Sequence, residues 1–79
     1  MTDPERYTIL LEQAADGGWG AWSPDLLGCV ALGDSIEQTV AEMREAIAFH
    51  LDGMAADGDT IPEPTGPGVY IEQHAAAVA

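Results

Sequence analysis

An α+β fold is what this 79-residue sequence predicts: a three-stranded antiparallel meander, one long helix and a short fourth strand, in the order β-β-β-α-β. Three observations predict it. Short period-two runs separated by Gly and Pro fill the first third, an apolar stripe at helical spacing fills the middle, and a Pro-rich segment then leads to a last aromatic and β-branched run. The length fits a single domain, 1–79, with residues 1–6 and 74–79 expected as flexible ends.

The first strand is expected over Tyr7–Glu12, where Tyr7, Ile9 and Leu11 alternate with Thr8, Leu10 and Glu12. Asp16-Gly17-Gly18 tolerates positive φ and reverses the chain into a second strand, Trp19–Ser23. Pro24 removes a backbone donor and holds Ser23 extended, so a tight connection through Asp25, Leu26, Leu27 and Gly28 should lead to a third strand, Cys29–Leu32. Short links between consecutive strands favour antiparallel neighbours.

Gly33-Asp34-Ser35 breaks the third strand, and Ser35-Ile36-Glu37-Gln38 fits a capping box with Ser35 as N-cap and Gln38 reaching back. Ile36, Val40, Met43, Ile47, Leu51 and Met54 then recur on one helical face, while Glu37, Glu42, Glu45 and Asp52 fall outside it. Asp57-Gly58 stops the helix, which is expected over Ser35–Ala56. The prolines of Ile61-Pro62-Glu63-Pro64 enforce an extended return, Gly66-Pro67-Gly68 turns, and Val69-Tyr70-Ile71 reads as the fourth strand.

Composition narrows the function. A chain this short hides only about 60% of the surface of its unfolded form, and 13 of its apolar residues are Ala. Few large side chains remain for a core, so association with a second copy or a partner is expected to supply burial. Fourteen acidic residues against Arg6 and Arg44 give a net charge of -12. Nucleic acid and anionic membranes are thereby poor partners, because phosphate binding needs cations to displace counterions. Two readings of the acidity stand: a generally acidic surface, or one complementary to a basic protein.

Nothing resembles an export signal or a spanning segment, so the cytoplasm is the expected compartment. Cys29 has no partner for a disulfide and reads as a small buried hydrophobe. Asp16, Asp25 and Asp34 are the carboxylates that a divalent metal would recruit, but all three lie in expected turns, where solvated side chains are the commoner case. His50 and His74 lack ligand spacing, and His50 falls at the margin of the apolar stripe as a structural histidine. No catalytic, cofactor or metal residue is therefore assigned, and no enzyme is expected.

Trp19 and Trp22 are three apart on a strand, so the pleat sends them to opposite faces. One enters the core; the other is covered by a neighbour or anchors an interface. Phe49 lies away from the apolar stripe, with either a packing contact to the tail or an interface role. The candidate partner-binding residues are Asp16, Trp19, Trp22, Asp25, Asp34 and Phe49.

The run Ser23-Pro24-Asp25-Leu26-Leu27-Gly28-Cys29, followed by Gly33-Asp34-Ser35-Ile36-Glu37, Ala46-Ile47, Leu51 and Ile61-Pro62-Glu63-Pro64, resembles the HicB family of type II antitoxins. Trp19-Gly20-Ala21-Trp22 stands where that family has an aromatic-rich second strand, and the resemblance covers Tyr7 to Ile71. It implies a partial ribonuclease-H-like fold without catalytic residues. It also implies a function: binding and silencing a HicA-type toxin, a small basic ribonuclease that cleaves messenger RNA, and the acidity converges with that expectation. Gln38-Thr39 departs from the family's usual Glu-Ala. The stretch to Ala79 lacks basic residues, so a short form without a C-terminal DNA-binding module is expected. The alternative is a stand-alone HicB-like homo-oligomeric binding protein with no toxin partner.

Overall fold

The computed structural model describes residues 3–66 and, as backbone, residues 70–74. A 3-10 turn, Pro4–Arg6, precedes strands β1 (Ile9–Gln13), β2 (Trp19–Ser23) and β3 (Leu26–Gly33), helix α1 (Ile36–Asp57) and strand β4 (Tyr70–His74). The three consecutive strands pair antiparallel, and the helix follows them, as the punctuation of the sequence indicated. β4 lies parallel to β1, giving the sheet order β3-β2-β1-β4. Val69, where the sequence places the start of a last strand, lies outside the described residues.

The sheet uses its pleat to sort side chains. Ile9 and Leu11, Trp19 and Ala21, and Leu26 and Cys29 are buried on the inner face, where α1 crosses β3 and β2 and presents Met43, Ile47 and Leu51. Ile36, Val40 and Met54 pack around this centre as half-buried residues. The expected helical stripe is thus the one the helix buries, while Glu37, Glu42, Glu45 and Asp52 are exposed.

Among β1–β3, two strand starts differ from the sequence reading. Tyr7 is fully buried yet precedes β1, because its hydroxyl donates to the Pro62 carbonyl and its own carbonyl accepts from Arg44 Nη1 at 3.1 Å. Those tethers hold Tyr7 in place ahead of the strand. Leu26, Leu27 and Gly28 belong to β3 and not to a connection, so only Pro24 and Asp25 link it to β2. The pairing register jumps from Trp22↔Val30 to Ser23↔Leu26, and Gly28, at φ +82°, supplies the left-handed geometry that this bulge requires. The bulge also lets Leu26 and Cys29, three apart, both face the core.

At the helix start, Ser35 Oγ accepts the Gln38 N–H at 3.1 Å. The reciprocal bond of the expected capping box is displaced by one residue, with Gln38 Oε1 accepting the Asp34 N–H at 2.7 Å. Thr39 is completely buried although polar, since its hydroxyl donates to the Ser35 carbonyl at 2.6 Å and its backbone sits against Gly33. A side chain at Gly33 would strike Thr39 within the first turn, so this glycine sets how closely the helix approaches the sheet. Gly58, in left-handed geometry, caps the other end.

After the helix, the chain returns as an extended strap fixed at three points. Ile61 packs against the core, Tyr7 holds Pro62, and Asp25 accepts from Thr65 N–H at 3.0 Å and Thr65 Oγ at 2.8 Å. The Pro-Asp-Leu and Pro-Glu-Pro segments, far apart in sequence, are therefore two sides of one clamp.

Three outcomes follow from this packing. Ile47→Ala empties a fully enclosed site and should cost about 2–5 kcal/mol by chemical denaturation, against about 1 kcal/mol for Ser35→Ala, which removes the N-cap. Asp25→Ala, which frees Thr65, should raise amide exchange in the strap selectively while leaving the helix protected. Burial pushes the Cys29 thiol up from its ordinary value. A group raised in this way stabilises the fold at neutral pH and withdraws that stability as pH climbs past the unfolded thiol's range, about 8.5. Alkylation of Cys29 in mildly alkaline buffer should therefore track global unfolding, and rapid modification of the folded chain would contradict the buried placement.

Candidate partner-binding site

The face of the sheet opposite the helix carries the second set of pleat positions. Leu10 on β1, Trp22 on β2 and Val30 on β3 lie in one cross-strand row, and Glu12, Gly20 and Leu32 form the next. Trp22 and Leu10 are half-buried, while Val30 and Leu32 are 64% and 79% exposed. Leu27, at the bulge, is 89% exposed. Exposed apolar residues scattered singly are ordinary, but a contiguous patch marks an interaction surface. Among the described residues, nothing covers this one.

One end of the patch continues into an open groove with an acidic border. Gly20, Trp22, Val30 and Leu32 form its apolar floor, and Glu12, Asp16 and Asp34 are among the residues lining it. The carboxylates gather there because the β1–β2 turn and the β3–α1 junction emerge at the same end of the sheet. Within the turn, Asp16 Oδ1 accepts the Gly18 N–H at 2.9 Å, and Ala14 N–H donates to the Gly18 carbonyl at 2.8 Å. These bonds fix the turn and leave Asp16 exposed.

The residues nominated from the sequence divide among several places. Asp16, Trp22 and Asp34 share the groove. Trp19 also borders it, but the residue is only 8% exposed and forms part of the core. Asp25 is at the opposite end of the sheet, engaged with Thr65. Phe49 is 81% exposed on the outer side of the helix, away from the groove-forming strands. Leu27, Val30 and Leu32 were not nominated. The signal for the last two was available, since Trp22 and its cross-strand partners share a parity, but it requires the register to be known.

Chemically, the surface offers apolar contact and negative charge. Asp16 and Asp25 are on opposite ends of the sheet, and among the described residues no three His, Cys, Asp or Glu side chains converge as metal ligands would. His50 is half-buried on the helix. Of the two basic residues among the described ones, Arg44 ties the helix to the backbone at Tyr7 and Arg6 is exposed ahead of β1. No helix among the described residues is long and apolar enough to cross a membrane.

The UPF0150 protein ssr1765 of Synechocystis sp. is 37% identical over 57 residues, covering 72% of this chain and 72% of that protein. The "Uncharacterized 14.9 kDa protein in rep-hol intergenic region" of Haemophilus phage HP1 is 34% identical over 67 residues. That match covers 85% of this chain but 50% of the phage protein, so the chain spans half of that relative's length. A family model described as HicB_like antitoxin of bacterial toxin-antitoxin system matches residues 7–77, and the chain belongs to this family.

Proposed function

We propose that this protein binds and neutralises a HicA-type messenger-RNA-cleaving toxin by covering the toxin's basic active surface. The observation that carries the reading is the groove itself, where an exposed apolar floor is bordered by Glu12, Asp16 and Asp34. A basic ribonuclease presents cations to RNA, and an acidic partner competes for them. Trp22 supplies the large amphipathic side chain that anchors interfaces. Neutralisation in this form is steric and electrostatic, requires no cofactor and is not catalysis. Its expected setting is the cytoplasm, where messenger RNA and such a toxin meet.

The finer description of the fold belongs to the same reading. The order β3-β2-β1-β4 with β4 parallel to β1 supports a partial ribonuclease-H-like arrangement acting as one domain. The thin core and the uncovered outer face support a homodimer or higher homo-oligomer as the working form.

Titrating the purified chain into a cognate basic ribonuclease should abolish RNA cleavage near stoichiometry. The association rate should fall steeply with added salt. Reversing two exposed carboxylates, Glu12→Lys with Asp34→Lys, should weaken binding by about tenfold or more, equivalent to about 1.4 kcal/mol. Undiminished cleavage at excess protein would defeat the proposal.

A further inference from the structure

The two sheet edges differ in charge. β4 carries Glu72, whereas β3 has no ionisable side chain except the buried Cys29 thiol along its eight residues, Leu26–Gly33. β3 pairs only with β2, so among the described residues no strand pairs with its other side. Natural edge strands are usually blunted by Lys, Pro, an inward charge or a bulge. β3 has only the bulge, opposite Trp22/Ser23, which leaves Val30–Gly33 regular and open.

We infer that this edge is a self-association seam, on which β3 of a second copy adds as an antiparallel strand. The inference rests on the homo-oligomer proposed above and is independent of any toxin. Charge selects the occupant. Two chains of net charge -12 repel, so a stable contact between copies must form where neither contributes a carboxylate. A twofold axis at Ala31 meets that condition. Val30 of each copy then lies beside Leu32 of the other on the outer face, and Asp34 falls opposite Gly28 and not opposite another acid. Cross-strand apolar pairs of this kind are the stabilising unit of a sheet. In that register each Leu10–Trp22–Val30 row runs on into the Leu32–Gly20–Glu12 row of the other copy, within one eight-stranded sheet. Glu12 stands two strands back from the edge, and Asp34, just past the end of β3, meets only Gly28 of the other copy.

Light scattering after gel filtration should give twice the 8.3 kDa chain mass at micromolar concentration. Raising sodium chloride should tighten the dimer, because the seam is neutral and the screened repulsion lies elsewhere; a basic protein seated on this edge would be released by salt. Val30→Glu with Leu32→Glu should yield a monomer with unchanged helical circular dichroism, since both side chains are exposed, while Phe49→Glu should leave the dimer intact. A wild-type monomer would overturn both the seam and the homo-oligomer. A dimer that survives the double Glu variant, or that salt dissociates, would overturn the seam alone. Toxin neutralisation, measured separately on the wild-type chain, reports on the antitoxin reading, because Val30 and Leu32 also floor the groove.

Discussion

Strand pleat governs this molecule more than any single bond. Once Ile9, Leu11, Trp19, Ala21 and Cys29 are committed to the helix side, the alternation of the backbone sends Leu10, Trp22, Val30 and Leu32 to the other side. A larger α/β protein would place a second helix layer there. With one α-helix among the described elements, this chain leaves that face without a second helix layer. A one-residue slip in register would invert every assignment, which is why the bulge at Gly28 and the close approach at Gly33 matter beyond their local geometry.

Charge then divides the exposed surface by use. The helix exterior carries Glu37, Glu42, Glu45 and Asp52, exposed carboxylates that repel other copies of the chain. The groove end combines carboxylates with apolar floor, a pairing suited to a cationic protein and unsuited to RNA or DNA. β3 offers neither sign. Val30 and Leu32 floor the groove and also lie on β3, so the proposed partner contact and the proposed self-contact share part of one apolar surface.

Much of the fold was legible because it rests on local signals. The Trp19–Ser23 strand is bounded by Gly17-Gly18 and Pro24, and the helix is marked by its stripe and by a residue suited to each cap, so both were readable without tertiary knowledge. What escaped depended on distant contacts. Leu26 looks like a loop residue until the Gly28 bulge turns it inward, and the burial of Thr39 depends on Gly33 admitting the helix. Asp25 reads as a free turn carboxylate, yet its partner Thr65 is 40 residues away. For the candidate site, residue types were visible and their grouping was not: Asp16 and Asp34 share an end only because β1–β2 and β3–α1 emerge together, which sequence spacing cannot express.

The central claim is that the outer sheet face is covered by another macromolecule when the protein acts. Acrylamide quenching of Trp22 fluorescence tests it most directly, in a Trp19→Phe background so that a single indole reports from that face. The account predicts ready quenching in the dilute free chain and a several-fold drop once the assembled complex forms. Equal quenching in both states would place the contact elsewhere and contradict the account.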